Sequence, residues 1–184
     1  MNKNYPIYKT TFIDDMRSLV EESAHNFSES IAVSYKENYW DKEVKKVTFL
    51  QWRDDVRNLG TALISKGFRE ENIAILGENS YGWCCSYFAV MAVGSVTVPV
   101  DKELPLEDID GIITTTGCKA VIYGKASESK IKELLQKVEG LNEVVVYAGE
   151  SRVQKDKITI VAEIFPDYDL LTDKGITDFQ EYFS

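Results

Sequence analysis

The chain is poor in the groups that several functions depend on. It holds one histidine and three cysteines in 184 residues. None of the cysteines forms a C-x-x-C pair of the kind used for zinc or redox exchange. Basic residues are outnumbered, 21 Lys+Arg against 30 Asp+Glu, for a net charge of −9. That balance excludes nucleic acid as a main partner, because phosphate neutralisation needs a basic face. It also gives no overall attraction to an anionic membrane surface. The first residues, Met1 to Thr11, lack the apolar run of a secretory signal, so a cytoplasmic location is expected. The sequence has no internal repeat and no low-complexity segment, and only 148–156 reads as a flexible stretch. The lone His25 has no nucleophile placed beside it, so no Ser-His-Asp or Cys-His device is indicated.

What is present is the material of a packed domain. Apolar residues make up 44% of the chain and aromatics 11%, which excludes disorder. Cys84, Cys85 and Cys118 sit in apolar stretches and read as small buried hydrophobes in a reducing compartment. The run from Trp83 to Val100 is nearly long enough to cross a bilayer. Gly94, Ser95, Thr97 and Pro99 interrupt it and Asp101 closes it, so it reads as a buried helix followed by a buried strand, with no membrane span.

Periodicity places the elements. Ile13, Met16, Val20, Ala24 and Phe27 predict an amphipathic helix over 11–27. Runs at 31–35 and 43–49, with the polar segment 36–42 between them, predict a hairpin or a meander. Thr48 and Gln51 form a capping box ahead of a helix whose buried stripe is Trp52, Val56, Leu59 and Leu63, stopped at Gly67. Strands at 72–76, 96–100, 119–123 and 143–147 then alternate with helices at 81–93, around 106–113 with a stop at Gly117, and around 131–138 with a stop at Gly140. Ser80 is a candidate N-cap, and the 81–93 helix is apolar nearly all round. A β run over 157–165 and a short helix over 176–183 are expected in the tail. The alternation predicts an α/β fold: a mainly parallel sheet flanked by helices, with a small β-rich C-terminal extension.

Two other features are read as structural. The adjacent acids Asp14-Asp15, Glu21-Glu22, Asp54-Asp55 and Glu70-Glu71 diverge on helices and are expected on solvated faces, not at metals. Thr114-Thr-Thr-Gly117 invites reading as a phosphate loop, but it lies at a helix end with no Pro-Lys-Gly after it.

The stretch Glu78-Asn-Ser-Tyr-Gly-Trp, an apolar helix, Ala92-Val-Gly-Ser-Val-Thr-Val-Pro-Val-Asp and Leu104-Pro105 resembles the N-terminal region of the adenylate-forming acyl-CoA synthetases, the AMP-binding enzymes. Val47-Thr-Phe, Leu59-Gly-Thr-Ala-Leu and Gly117-Cys-Lys-Ala-Val-Ile-Tyr resemble the same family, so the likeness covers roughly 12–123. The segments Ile131-Lys-Glu-Leu-Leu and Ile160-Val-Ala-Glu-Ile-Phe-Pro-Asp resemble the small C-terminal domain of that family, although 125–147 alone could equally continue the N-terminal sheet. The resemblance therefore implies a division into 1–124, an N-terminal α/β region, and 125–184, part of the C-terminal domain.

The resemblance also implies a chemistry. Such enzymes join a carboxylate to ATP with Mg, release pyrophosphate and pass the acyl group to coenzyme A. The Ser/Thr/Gly-rich phosphate loop and the late adenylation lysine have no counterpart in this sequence. The chain is thus expected to be a truncated, long-chain fatty acid–CoA ligase-like protein, inactive alone, with no catalytic, cofactor or metal residues of its own. The aromatic cluster Tyr81, Trp83, Tyr87 and Phe88 is expected to pack in the core, or else to wall an acyl pocket or an interface. Two alternatives remain open: a non-catalytic module that binds an acyl chain, self-associates or pairs with a full-length synthetase, and a chain completed by a second polypeptide.

Overall fold

The computed structural model describes residues 12–36, 38–65, 67–137, 142–145 and 160–161. The elements run α1 (Met16–Phe27), β1 (Ile31–Tyr35), β2 (Lys45–Thr48), α2 (Phe49–Ser65), β3 (Asn72–Leu76), α3 (Tyr81–Ala92), β4 (Val96–Val100), α4 (Leu106–Thr116), β5 (Ala120–Tyr123), a 3-10 turn (Lys125–Ser127), α5 (Glu128–Lys137), β6 (Asn142–Val145) and β7 (Ile160–Val161). β1 and β2 form the expected antiparallel hairpin. The other five strands form one parallel sheet in the order β4-β3-β5-β6-β7. The α/β architecture read from the alternation is the observed one.

Local chemistry sets the helix ends. The first helix starts at Met16 and not at residue 11, because the Asp15 carboxylate accepts the Ser18 N–H at 2.6 Å and so fixes the first turn there. The backbone bond to Ser18, the largest influence, holds the Asp15 pKa below its usual value. The capping box forms as expected: the Thr48 N–H donates to Gln51 Oε1 at 3.0 Å and the Gln51 N–H to Thr48 Oγ1 at 3.2 Å. Ser80 caps α3 by accepting the Trp83 N–H at 3.1 Å.

Strand alternation sends residues to two opposite cores. Ile73, Ile75, Ala120 and Ile122 meet the helix residues Val20, Trp52, Val56, Leu59, Leu63, Tyr81, Cys85 and Ala89. Ala74, Leu76, Val121 and Tyr123 meet Ile109, Ile113, Ile131 and Leu134. Helices α1, α2 and α3 thus cover one face of the sheet, and α4 and α5 the other. β4 is an edge strand, which suits its Pro99, a residue with no donor to give a further ladder.

The described part of 125–147 continues the N-terminal sheet. Tyr123 pairs with Val145 in parallel register, and α5 packs on the α4 face through Ile131 and Leu134. The sheet runs unbroken across residue 124. Of the expected β-rich tail, Ile160–Val161 pairs with β6 in the same sheet. The remaining tail expectations, the 167–174 turn and the 176–183 helix among them, lie outside the described residues, as does the stop at Gly140.

Candidate functional site

The strand ends are aligned. Leu76 stands opposite Val100 on one side and Tyr123 on the other. The loops that follow, 77–80, 101–105 and 124–127, therefore open on one edge of the sheet. The chain leaves β3 toward α3 on one face and leaves β5 toward α5 on the other. Between β3 and β5 the connections part, and in open α/β sheets ligands bind in the crevice formed at such a point.

That crevice is present. Ile75, Leu76, Ile122 and Tyr123 make its floor, and Glu78, Ser80, Ser86 and Trp83 contribute to its walls. Two glycines let the strand ends close together. A Cβ on Gly77 would stand 3.2 Å from the Gly124 nitrogen, and one on Gly124 would stand 2.7 Å from Glu78 Oε2. The volume is about 30 Å³, which suits a water-sized occupant and not a nucleotide or an acyl chain.

Charged groups brace the rim. Lys102 bonds Glu103 at 2.7 Å and lies 4.0 Å from Glu78. The Glu103 hydrogen bond and charge raise the Lys102 pKa, and the reciprocal bond lowers that of Glu103. From α5, Lys130 donates to the carbonyls of Lys102 and Leu104 at 2.6 and 2.9 Å, which pins the β4–α4 loop.

The four aromatics of the cluster separate. Tyr81 is buried, stacked on Tyr35 at 5.3 Å, and its hydroxyl donates to Asp55 Oδ2 at 2.5 Å. Burial first, then the neighbouring Cys85 and Asp55, pushes the phenol pKa far above its ordinary value. Trp83, Tyr87 and Phe88 are half-buried. Trp83 stacks on Tyr87 at 5.3 Å, Tyr87 meets Phe88 at 5.8 Å, and Phe88 stands edge-on to Trp52 at 4.8 Å. Trp83 alone of the four lines the crevice.

Asp55 corrects one expectation. It is 7% exposed and not on a solvated face, because it lies between Trp52 and Leu59 on the buried stripe of α2. That spacing, three residues after Trp52 and four before Leu59, was the available signal. Glu21 is also engaged, in a bidentate pair with Arg57 at 2.6 and 2.5 Å. The sequence signal for the crevice is a glycine directly after each of two strands, Gly77 and Gly124.

Other candidate groups are structural. Gly117 adopts φ 63° as the left-handed stop of α4. Its N–H donates to the Thr114 carbonyl and the Cys118 N–H to that of Ile113. These donors close a helix C-terminus, and a triphosphate does not fit there. The cysteines are free, with Cys85 and Cys118 buried, and burial raises the pKa of all three thiols. His25 is exposed in the last turn of α1. Among the described residues no group of acids, histidines or cysteines could hold a metal, and no helix is long and apolar enough to cross a membrane.

Residues 20–172 match the family of AMP-binding enzymes. The long-chain-fatty-acid–CoA ligase FadD13 of Mycobacterium tuberculosis is 38% identical over 68 residues, 36% of this chain and 13% of that protein. The putative acyl–CoA ligase YdaB of Bacillus subtilis is 27% identical over 96 residues, 52% of this chain and 19% of that protein. The coronafacic acid ligase of Pectobacterium brasiliense superposes with a TM-score of 0.67 at 19% identity, over 79% of this chain and 28% of that one. The chain thus spans a fifth or less of the length of these curated relatives. The fold, the sequence matches and the family match agree: the chain belongs to the AMP-binding enzyme family and corresponds to part of an acyl-CoA ligase-like domain.

Proposed function

We propose that this chain is a scaffold region of a fatty acid–CoA ligase-like domain and does not adenylate a carboxylate unaided. The observation that carries this reading is the closure of Thr114–Gly117. Its N–H donors are spent on helix carbonyls, so this segment offers no free row of such donors to a phosphate. ATP, Mg and coenzyme A belong to the family's reaction, and no step through them is assigned to these residues.

In this reading Trp83, with Tyr87 and Phe88 beside it, forms a wall for an acyl group when the rest of such a domain is present. Tyr81 holds the wall in place through Asp55. ATP–pyrophosphate exchange with a panel of fatty acids is the test. The pure chain should give no exchange, and ATP should leave its melting temperature unchanged. Measurable exchange would overturn the reading.

A second reading has its own support. Helix α3 is apolar on nearly every side, yet Trp83, Tyr87 and Phe88 keep partly open faces. Such a helix suits a module that holds an acyl chain or pairs with a full-length synthetase. Retention of fatty acid by the purified chain, or co-purification of a larger synthetase, would favour this alternative.

A further inference from the structure

The β1–β2 turn holds two large rings out to solvent. Tyr39 is 93% exposed and Trp40 78%. The turn that carries them is closed on itself. The Asn38 N–H and side-chain amide donate to Asp41 Oδ2 at 2.8 and 3.2 Å, and the Asp41 N–H donates to the Asn38 carbonyl at 3.1 Å. Tyr39 and Trp40 occupy the two central positions and meet no other ring among the described residues. On the neighbouring α1–α3 face the rings of Phe49, Trp52, Tyr81, Trp83 and Phe88 all pair. Exposing the tip pair costs solvation free energy, and these are two of the three most exposed large apolar side chains among the described residues, with Phe12 at 84%.

The surroundings narrow the partner. Residues 36–46 hold four lysines, Lys36, Lys42, Lys45 and Lys46, against three acids, in a chain whose net charge is −9. All four lysines are exposed. Tyr and Trp join an apolar ring to one polar donor, the combination that settles at the boundary between headgroups and acyl chains. Lysine stems reach from there to lipid phosphates. Two rings bury at most about 500 Å², below the roughly 800 Å² per partner of a stable protein interface. The immediate neighbours Lys36, Asn38, Lys42 and Glu43 are exposed and polar, and beyond them Val44 adds one further apolar side chain at 45% exposure.

We propose that the β1–β2 turn is an interfacial anchor that seats Tyr39 and Trp40 in the surface of a phospholipid bilayer. The net charge of the chain opposes adsorption by charge, so ring insertion supplies the binding and a zwitterionic surface suffices. This proposal is independent of the catalytic reading.

The test uses the full chain with phosphatidylcholine vesicles, alone and with added phosphatidylserine. Trp52 is buried and Trp83 half-buried, so Trp40 dominates any change in tryptophan emission. Wild type should shift its emission to the blue and co-sediment with both vesicle types. The Tyr39→Ser/Trp40→Ser double variant should lose at least about tenfold in partitioning with an unchanged melting temperature. The Tyr39→Ser single variant keeps the reporter and should show a weaker shift at the same lipid concentration. Wild type left in the supernatant with both vesicle types would overturn the proposal, as would a double variant that sediments like wild type. So would a wild-type dimer that the double variant dissolves without any lipid binding, since the tip would then be a protein contact.

Discussion

On one face of the sheet α2 and α3 set Trp52, Tyr81 and Phe88 against Ile73, Ile75 and Ile122. On the other, α4 and α5 set Ile109, Ile113, Ile131 and Leu134 against Ala74, Leu76, Val121 and Tyr123. The first face carries buried polar groups, Asp55, Thr61 and Ser86, and rings that are only half-covered. The second is mainly aliphatic, with Tyr123 as its buried ring. An aliphatic layer needs only volume and contact to be stable. An aromatic layer with polar groups needs partners in fixed directions, which suits a face that positions something. The crevice and its Trp83 wall lie at the end of that first face.

The largest expected effect therefore lies on the aliphatic side. Ile113 and Ile131 are almost fully buried and serve no group at the crevice. Either residue replaced by alanine should cost about 2–5 kcal/mol, the transfer loss plus the cavity left behind. Against a typical total of about 5–15 kcal/mol that is enough to lower the denaturant midpoint sharply. A loss below about 1 kcal/mol in urea titration would show that this face is loosely packed, and the contrast between the faces would fail.

The contrast was unevenly legible in the sequence. Both cores came from period: the α2 stripe Trp52, Val56, Leu59 and Leu63 is buried as spaced, and the strands at 72–76 and 96–100 fall where their β-branched runs begin and end. Stops and caps were legible because Ser80, Thr48 and Gly117 act on neighbours within four residues. What failed was the non-local part. Asp55 and Tyr81 lie 26 residues apart, and their bond depends on how α2 crosses α3. Lys130 reaches back 28 residues to the Lys102 carbonyl. The crevice exists only because the strand order puts Gly124 beside Gly77, and strand order is not a local property of the chain.

The Asp55–Tyr81 bond supplies the next prediction. Tyr81→Phe keeps the ring and its stacking on Tyr35 but removes one donor to a buried carboxylate. The expected cost is about 1–3 kcal/mol at neutral pH. The raised phenol pKa also fixes a pH window. The folded protein holds the Tyr81 proton more tightly than the unfolded chain, whose tyrosines titrate near pH 10. This stabilisation is complete below about pH 10 and is lost as pH rises beyond it, because the unfolded chain releases the proton first. Thermal melts from pH 9 to 11 should fall more steeply for wild type than for Tyr81→Phe above pH 10. Parallel curves would mean that the hydroxyl is solvated. Cys85 contributes a similar loss that starts lower, near its unperturbed range, and is shared by both proteins.

Trp52 tests the aromatic face most finely. Its indole is buried against Phe49 and Phe88, and its Nε1–H meets no acceptor among the described residues. A buried donor without a partner costs about 1–3 kcal/mol in the native state. Trp52→Phe removes that donor together with part of the ring volume, and a cavity of a few carbon atoms costs a similar amount. The two terms oppose, so the variant should unfold within about 1 kcal/mol of wild type, although Trp52 is among the largest core side chains on this face. A loss of about 3 kcal/mol in the same urea titration would show that the indole N–H is bonded in solution. In that case the aromatic face holds a second polar anchor beside Asp55–Tyr81, and its rings are fixed by direction as well as by contact.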